Sequence, residues 1–483
     1  MKIYILSFVF NILIVLSLNA APFHTQKESM LNSASVVKVF THGISPNYDK
    51  PWSMGNPFSA TGSGVIIEGN LILTAAHVVS DATYIEVKKH ADPKKYFARV
   101  KWIAPDADLA LLELEEILFF KNTVAKKLGE TPKRQEGVAV YGYPEGGNVI
   151  SITQGIISRI EMTEYSFSSV DLLTIQIDAA INAGNSGGPA FNAQGDIVGI
   201  AIQGLTDSDN IGYIAPVSVI EHFFEDIKDG QYDGFPSDGL FIQEMENVRL
   251  KEYYGMNNRT GILATEIIKG SSVDGYIERE DIILEVDGYV VADNMTVKSE
   301  TLGRISVNQI IAQHFVGDTL KVKVLRDKKE LTIKVPLKTN KFLAWGGDDK
   351  SLKYYIFGGF VFLPLNYNNM MNIRYTSKEF LYEYILSHTT DTGYKHKEQV
   401  FISTILADKI NAGYRVSYQI VRKVNDAEVD SFEDLIKKIA SSPKIVKITL
   451  TEGIVIVVNK DEVLQAEKRI MSRYGIKKLT HSN

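Results

Sequence analysis

The sequence predicts a mainly β protein in which one large β-rich domain precedes two smaller α+β domains. From about residue 34 to residue 216, short apolar and β-branched segments alternate with Gly, Pro, Asn and Asp turn signals. Short strands at this spacing favour a sandwich or barrels over alternating strand–helix units. A weakly repeated order of strands and one helix then occupies residues 239–340 and again 341–462.

Length and composition are those of a folded soluble protein. The chain has 483 residues, 45% of them hydrophobic and 23% charged, which suits about two to four domains with ordinary cores. A formal net charge of −6 gives no reason to expect a nucleic-acid partner, which would favour a basic face. The lack of cysteine excludes disulfides, thiolate nucleophiles and cysteine-ligated metals. No motif for ATP, calcium or a catalytic metal occurs, so we predict neither cofactor nor metal.

The first 21 residues have the pattern of an export signal. Lys2 precedes a nearly continuous apolar run from Ile3 to Leu18, and small residues at 19–21 precede Pro22. A retained membrane anchor is the alternative, although the run is slightly short for a span of about 20 residues. No later segment is long and apolar enough to cross a bilayer. We therefore predict an exported protein without a stable membrane span after signal removal, in the periplasm or, alternatively, secreted.

Composition shifts divide the remaining chain. The β-rich domain covers residues 22–228, and a Gly-, Pro- and Asp-rich stretch at 229–238 predicts a linker. The α+β domains follow at 239–340 and 341–462, the second with extra length that includes a possible helix at 378–386. Residues 463–483 carry several lysines and arginines, which favours a basic tail or terminal helix in solvent, with contact to a membrane surface as the alternative.

Three short motifs in the β-rich domain contain the side chains that nucleophilic catalysis needs. They are Thr74-Ala-Ala-His77, Asp106-Ala-Asp108-Leu-Ala-Leu and Asn182-Ala-Gly-Asn-Ser186-Gly-Gly-Pro189. A serine hydroxyl requires a base, the base requires an acid, and the developing oxyanion requires backbone N–H donors. Each motif alone has an ordinary structural explanation as a turn or a strand edge. The order His, Asp, Ser differs from that of α/β-hydrolases, whose G-x-S-x-G pattern also fits residues 184–188.

These motifs, with Thr61-Gly-Ser-Gly-Val65, Gly142-Tyr-Pro144 and Asn210-Ile-Gly-Tyr-Ile-Ala-Pro216, cover most of residues 60–218. They resemble the HtrA/Deg family of chymotrypsin-fold serine proteases, most closely its plant-type branch. The resemblance implies two packed β-barrels with the site between them. It also implies a triad and an acyl-enzyme. Asp106 is a competing acid, but Asp108, which directly precedes Leu109-Ala-Leu, matches the family position. The predicted roles are His77 as base, Asp108 as orienting acid, Ser186 as nucleophile, and Gly184, Asn185 and Ser186 as oxyanion hole.

The resemblance also suggests a substrate preference. In chymotrypsin-like enzymes the residue six positions before the nucleophile lies at the base of the primary specificity pocket. That residue is Ala180, which carries no charge to pair with a basic side chain. We expect Ile200, Ala201 and Ile202 to line a wall of the pocket. The prediction is an apolar pocket for small or medium aliphatic side chains.

Residues 239–340 resemble a PDZ domain. Thr260-Gly261-Ile262-Leu263 matches a loop whose N–H groups hold a peptide C-terminal carboxylate beside an edge strand, with a generic hairpin as the alternative. The second α+β domain is a more divergent PDZ candidate, with Gly358-Gly359-Phe360-Val361 in the corresponding place. Its extra length departs from the pattern, and packing between subunits is an alternative role.

Two functional hypotheses remain open at this point. The first is an ATP-independent serine endopeptidase that degrades unfolded or damaged exported proteins, with peptide recognition by PDZ domains. The second is a chaperone or peptide-binding scaffold whose triad is inactive at rest. The resemblance also implies a homo-oligomer built from trimers. Unfolded polypeptides and peptide C-termini are the expected partners under either hypothesis.

Overall fold

A computed structural model describes residues 23–204, 211–256, 258–339, 352–366, 369 and 398–482. The predicted export signal and the possible helix at 378–386 lie outside the described residues. Within the described ranges, no helix has both the length and the apolar character needed to cross a membrane. The chain is mainly β, as the sequence predicts.

A short N-terminal segment and the first β-barrel come first in the chain. Helix α1 begins after Thr25, whose side chain and that of Glu28 form a reciprocal capping box. The first six strands then close into a barrel in the order β1-β2-β3-β6-β5-β4. The elements are α1 Gln26–Ser35, β1 Val36–Pro46, β2 Met54–Ile67, β3 Leu71–Thr74, α2 Ala76–Val79, β4 Ala82–Lys89, β5 Tyr96–Ala104 and β6 Leu109–Glu113.

The second barrel repeats the closed six-stranded arrangement. Its order is β10-β11-β12-β9-β8-β7, and helix α3 leaves it at the C-terminal end. Apolar side chains from both faces of these short strands fill one continuous core, as the β-branched pattern predicts. The elements are β7 Gly137–Gly142, β8 Ser151–Glu164, β9 Asp171–Ile177, β10 Pro189–Phe191, β11 Ile197–Gly204, β12 Gly212–Pro216 and α3 Val217–Asp226.

The segment predicted as a linker at 229–238 packs against the first barrel. The Tyr232 hydroxyl donates to the Asp106 carboxylate, and the Phe235 N–H donates to the same carboxylate at 2.9 Å. Burial raises the pKa of Asp106, although these hydrogen bonds oppose the shift. The predicted linker at 229–238 is therefore a packed segment, because Phe235 is buried, Tyr232 is partly buried, and both donate hydrogen bonds to Asp106.

The second unit is an α+β domain whose sheet has the order β14-β15-β16-β20-β21, with β17 beside β16. Its apolar core lies between this sheet and helix α5. The elements are β13 Pro236–Ser237, β14 Leu240–Glu244, α4 Val248–Tyr253, β15 Ile262–Ile267, β16 Ile282–Val286, β17 Tyr289–Val290, β18 Thr296–Ser299, β19 Gly303–Ser306, α5 Asn308–Ala312, β20 Thr319–Arg326, β21 Lys329–Pro336 and β22 Lys338–Thr339.

The third unit has a related sheet with additional strands at one edge. The order is β29-β28-β26-β25-β24-β23-β30, with β27 beside β26. The elements are β23 Tyr354–Phe357, β24 Phe360–Pro364, β25 Val400–Ile405, β26 Gln419–Val424, β27 Ala427–Glu428, α6 Phe432–Ser441, β28 Ile445–Leu450, β29 Val455–Asn459, α7 Lys460–Tyr474 and β30 Thr480–His481.

Residues 463–483 are not a separate basic tail. Val463, Ala466 and Ile470 of α7 are at most 1% exposed and pack on the third unit, while the basic residues face outward. Strand β30 then pairs with β23. The boundary predicted at 462 is therefore wrong, because the apolar residues of this segment recur at helical spacing and complete the core.

Candidate active site

The candidate base and acid come from adjacent structures of the first barrel. His77 lies in the short helix α2 directly after β3, and Asp108 ends the turn before β6. The His77 Nδ1 atom is 2.7 Å from Asp108 Oδ2, and the His77 backbone N–H donates to Asp108 Oδ1 at 2.9 Å. Asp108 holds a left-handed φ of 51°, which Asp tolerates better than most residues. The carboxylate is 3% exposed and fixes the imidazole at two points.

The environment of His77 favours an imidazole that holds a proton well. Burial opposes charging of the ring, but the hydrogen bond and the negative charge of Asp108 outweigh burial and raise the pKa of His77. The Phe167 ring also lies beside it, with 6.1 Å between ring centroids. A base with a raised pKa takes a proton from a hydroxyl more readily.

The loop that carries Ser186 packs against the elements that carry His77. The Ser63 N–H donates to the Ser186 carbonyl at 2.8 Å. A Cβ at Gly187 would lie 2.2 Å from Thr74 Oγ1 and 2.9 Å from the Ala75 nitrogen, so only glycine fits there. Thr74 and Ala75 immediately precede the helix of His77. These contacts place the loop that carries Ser186 against the residues that immediately precede the helix of His77.

The Ser186 hydroxyl and the His77 Nε2 atom are not hydrogen-bonded in this conformation. Within the described part of the chain, the His77 ring bonds through Nδ1 to Asp108. Catalytic hydrogen bonds are often long before substrate binds and tighten in the complex. The absence of this hydrogen bond therefore does not argue against Ser186 as the candidate nucleophile.

Of the three predicted oxyanion donors, two have N–H groups available for substrate. The Asn185 N–H donates to the Asn182 carbonyl at 2.9 Å, so Asn185 serves a turn rather than the oxyanion. Among the described residues, the N–H groups of Gly184 and Ser186 donate to no protein acceptor. Gly184 has a φ of 92°, a region that glycine adopts without strain. Of the predicted trio, Gly184 and Ser186 stay the candidate oxyanion donors.

Ser63, which the sequence analysis did not select, holds this loop in place. Its side chain is fully buried, accepts the Tyr143 N–H at 2.8 Å and donates to the Gly184 carbonyl at 2.8 Å. Its own carbonyl accepts the Thr74 hydroxyl at 2.6 Å. Ser63 thus links the oxyanion loop to the strand before His77. The only signal in the sequence is a serine between two glycines, Gly62 and Gly64, which does not reveal these partners.

We expect Ser63→Ala to lower kcat by about 10- to 100-fold with a smaller change in KM, because loss of one oxyanion donor costs about 100- to 1000-fold. The substitution leaves the Gly184 carbonyl and the Tyr143 N–H without their partner, so the loop loses its fixed position. Steady-state kinetics on a peptide substrate measure the effect. Ser59→Ala, an exposed serine on the same strand β2, is the matched control. Equal effects of the two substitutions would contradict this role.

The predicted specificity residues lie near the nucleophile loop. The Ala201 carbonyl accepts the Gly187 N–H at 2.8 Å, which places β11 beside the loop. Ala180 is half-buried, and its carbonyl accepts the Thr153 hydroxyl. The pairing register of β11 shifts between Ala201 and Gln203, so the regular alternation of faces is interrupted at Ile202. Ile200, Ala201 and Ile202 are all buried, and their role in a specificity pocket stays a prediction.

The predicted carboxylate loop at 260–263 is wrong. Ile262 and Leu263 belong to β15, which pairs with β14 on one side and β16 on the other. The Gly261 N–H donates to Asp293 at 3.1 Å, and the Thr260 hydroxyl donates to the Val291 carbonyl. Addition of a peptide strand requires a free edge. Among the described strands, the two edge strands of this sheet are β14, which follows Gly239, and β21, and β14 is the edge beside β15.

The internal repeat explains this error. From Ile267 to Ile282 is 15 positions, and from Ile405 to Gln419 is 14, so β15 and β16 correspond to β25 and β26. The Gly358-Gly359 pair is therefore not the counterpart of residues 260–263. Both glycines have positive φ and form the tight hairpin turn between β23 and β24.

In the third unit, the chain itself covers the edge that corresponds to β14. Strand β24 takes that place in the sheet, and β23 pairs along its outer side. Strand β30 pairs with β23 in turn, and the Ile356 N–H donates to the Leu479 carbonyl at 2.7 Å. The two modules therefore differ in strand pairing at this edge, because only the second unit leaves it unpaired within the described chain.

We expect deletion of residues 479–483 to open the outer edge of β23. The Ile356 N–H loses its acceptor, so its hydrogen exchange should quicken by at least about tenfold, the equivalent of one hydrogen bond of about 1.4 kcal/mol. Exchange measured by NMR or mass spectrometry reports this directly. Deletion of residues 482–483 alone keeps β30 and serves as the control. Unchanged exchange in the longer deletion would show that β30 does not protect this edge.

Within the described residues, no group of three or more His, Asp or Glu side chains has the arrangement of a metal site. The candidate site thus consists of a nucleophile, a base, an acid and backbone donors.

Comparisons with known proteins identify the family to which this architecture belongs. A model of the trypsin-like peptidase domain matches residues 62–200, and a model of the PDZ domain matches residues 346–482. Protease Do-like 4, mitochondrial, of Arabidopsis thaliana is 37% identical over 92% of this chain and 84% of its own length. The chain belongs to the Do-like (Deg/HtrA) family of serine proteases. Protease Do-like 2, chloroplastic, of the same organism is 33% identical over 93% of this chain and 74% of its own length.

A solved structure agrees on the fold. The HtrA-type protease AlgW with decapeptide superposes with a TM-score of 0.51, covering 65% of this chain and 98% of its own, at 22% identity. The predicted family, the mainly β class with two barrels, and the serine peptidase activity are therefore confirmed for this Do-like protease. The PDZ match falls on the third unit and includes residues 463–482, in agreement with the packing of α7 and β30.

Proposed function

We propose that this Do-like protease cleaves unfolded polypeptides through a Ser186–His77–Asp108 triad. The observation that supports this most strongly is the doubly held His77–Asp108 pair beside a glycine-rich loop with two available N–H groups. That combination supplies a base, its orienting acid and an oxyanion hole within one cleft.

In the proposed reaction, His77 Nε2 takes the proton of the Ser186 hydroxyl as the oxygen attacks the substrate carbonyl. The proton on Nδ1 stays in the hydrogen bond to Asp108, which stabilises the charged ring. The N–H groups of Gly184 and Ser186 receive the oxyanion. His77 then protonates the leaving amine, and water hydrolyses the acyl-enzyme by the same sequence of proton transfers.

The second unit is the proposed docking module for substrate. An extended peptide can add to the unpaired edge of β14, from Leu240 to Glu244, and gain main-chain hydrogen bonds irrespective of its sequence. We place capture of a peptide C-terminus at Asp238–Leu240, the turn that opens this strand. Recognition of extended backbone suits unfolded proteins, which expose it. No nucleotide-binding motif occurs in the sequence, and we propose ATP-independent proteolysis with preference for aliphatic residues at an apolar pocket.

We propose that the protease works outside the cytosol. The first 21 residues have the export pattern described above, and the relatives carry names that place them in mitochondria and chloroplasts. The periplasm is the destination we propose for this chain. A trimer-based oligomer is part of the same proposal, and light scattering of the purified protein tests it.

The test combines active-site labelling with turnover. A fluorophosphonate reagent should label Ser186, as located by mass spectrometry, and the native protein should degrade casein. Peptides ending in a free carboxylate should raise the labelling rate more than the same peptides ending in an amide. Casein that stays intact while an unfolded client is kept from aggregating would support the scaffold alternative instead.

A further inference from the structure

A lysine lies in the middle of strand β1 of the first barrel, among buried apolar residues. Lys38 is 5% exposed, and its neighbours Val37 and Val39 belong to the core of that barrel. Because successive side chains of a strand point to opposite faces, Lys38 points away from this core. A lysine is rarely buried unless its ammonium has a partner. The identity of that partner therefore indicates what Lys38 does.

The partner of Lys38 is a backbone carbonyl of the second barrel. The Lys38 ammonium donates to the Gly147 carbonyl at 2.5 Å. No carboxylate of the described residues forms an ion pair with Lys38, and the charged groups that affect it are those of Lys88 and Lys95. The centroid of the Phe40 ring lies 5.2 Å from the same ammonium. The charge thus strengthens a hydrogen bond to one main-chain oxygen, since charged donors bind more strongly than neutral ones.

Gly147 ends a tight turn between strands β7 and β8. Its N–H donates to the Pro144 carbonyl at 2.9 Å. Side chains of the first barrel hold this segment at both ends, because Ser63 accepts the Tyr143 N–H and Lys38 donates to Gly147. Lys38 and Ser63 are directly opposite each other in the β1–β2 pair, so their side chains lie on the same face of the sheet. One face of the first barrel therefore fixes residues 143–147.

The same segment supports the loop that carries the candidate oxyanion donors. The Glu145 N–H donates to the Ala183 carbonyl at 2.7 Å. A Cβ on Gly184 would lie 2.4 Å from the Tyr143 carbonyl oxygen and 2.5 Å from the Glu145 nitrogen. The backbone of the segment is thus in direct contact with the backbone of Gly184. Displacement of residues 143–147 would therefore displace the Gly184 N–H.

We propose that Lys38 is a positioning residue for peptide hydrolysis, which fixes residues 143–147 against the loop of Gly184 and keeps the Gly184 N–H directed at the oxyanion. This role rests on the proposed function, in which Gly184 and Ser186 are the oxyanion donors. Lys38 acts through the Gly147 carbonyl and the turn, and it contacts no reacting atom. A donor that is already fixed needs no reorganisation when charge develops on the substrate.

Steady-state kinetics on a peptide substrate test this role. Lys38→Met keeps the length of the side chain without its charge and should lower kcat by about 10- to 100-fold, because loss of one oxyanion donor costs about 100- to 1000-fold. KM should change by less than about threefold, since the lost interaction is made in the transition state. Lys38→Gln is a second uncharged variant and should also lower kcat. Lys88→Met removes the charge directly opposite on β4 and is the matched control. Equal kcat values for Lys38→Met and Lys88→Met, or a loss confined to KM, would overturn the proposal.

The pH dependence of kcat gives a readout that a merely structural role would not change. Burial and the charges of Lys88 and Lys95 lower the pKa of Lys38 below the usual 10.5. Because the ammonium is the form that donates, kcat should be retained below this pKa and should fall as pH rises through it. On the turn itself, Glu145 is exposed, and burial raises the pKa of Tyr143 to about 12. The alkaline limb should be present in the native enzyme and in Lys88→Met. Its persistence in Lys38→Met would overturn the proposal.

Two further measurements separate this proposal from the proposed function. A fluorophosphonate should label Ser186 of the native protein, and it should label Lys38→Met at least about tenfold more slowly. A native protein that is not labelled would contradict the proposed function, whereas equal labelling rates would contradict the role of Lys38 alone. Hydrogen exchange of the Glu145 N–H should quicken by about tenfold in Lys38→Met and stay native in Lys88→Met. Unchanged exchange would overturn the proposal, and this measurement needs no activity.

Discussion

Replacement of Ser186 by alanine is expected to lower casein degradation by about 10⁶-fold, to a rate indistinguishable from background. The remaining groups cannot substitute for the hydroxyl, because His77 then has no nucleophile to deprotonate. The fold should be unaffected, since the contact of this residue with Ser63 uses its backbone carbonyl. Release of labelled casein fragments measures turnover, and circular dichroism checks the fold.

Two comparisons make this result specific. Ser80→Ala alters a serine that directly follows helix α2 and should retain native turnover. The Ser186→Ala protein should still bind peptides at the β14 edge, because that edge lies in another domain. Residual proteolysis above about 1% of native would contradict a Ser186 nucleophile. Protection of unfolded clients by the variant, together with absent turnover by the native protein, would favour the scaffold hypothesis.

The protease domain and its candidate catalytic residues were predictable because each of these residues lies in a short contiguous motif. The motifs contain His77, Asp108 and Ser186. Ser63 also lies in a motif, Thr61-Gly-Ser-Gly-Val65, but that motif does not reveal the partners of its side chain. Its partner Gly184 is 121 positions away, so only the closure of two barrels creates the contact. Roles that arise from long-range contacts of single residues are beyond sequence patterns.

The errors in the later domains have a different cause. Strands β14, β15 and β24 each begin with a short apolar segment that follows glycine. The sequence motif of the carboxylate loop therefore fits β15 as well as β14, and it can be assigned to the wrong strand. In the structure, β15 pairs with β14 on one side and β16 on the other, which shows that β15 is not an edge strand. Strand pairing of this kind is not visible in a sequence. At the C-terminal end, net positive charge concealed the helical spacing of Val463, Ala466 and Ile470.

The candidate base and acid are held firmly by the fold. Asp108 contacts His77 through both carboxylate oxygens. Asp106, two positions before Asp108, accepts hydrogen bonds from Tyr232 and Phe235 of the segment that leads to the second unit. The turn before β6 therefore contacts both the helix of His77 and this segment.

Substitution of Asp108 by asparagine is expected to lower kcat by about 10⁴-fold at neutral pH. The amide donates to Nδ1 and forces the proton of His77 onto Nε2, where the base must accept. In the native enzyme, kcat/KM should fall as pH drops through the pKa of His77. That value lies above the ordinary 6.5 or so of histidine, because the hydrogen bond and charge of Asp108 outweigh burial. In the variant those two contributions are lost while burial remains, so the pKa of His77 should move to lower pH.

Asp106→Asn is the matched control for this experiment, since it removes a neighbouring carboxylate that contacts Tyr232 and Phe235 rather than His77. Its kcat should stay within about tenfold of native, and the acid limb of its pH profile should not move. The pH dependence of kcat/KM on a peptide substrate distinguishes the two variants. A variant that merely disturbs the fold would have a lower rate, but the acid limb of its pH profile would stay at the same pH. If Asp106→Asn gave the larger loss and the shifted limb, Asp106 would be the orienting acid. The double contact of Asp108 with His77 would then be structural.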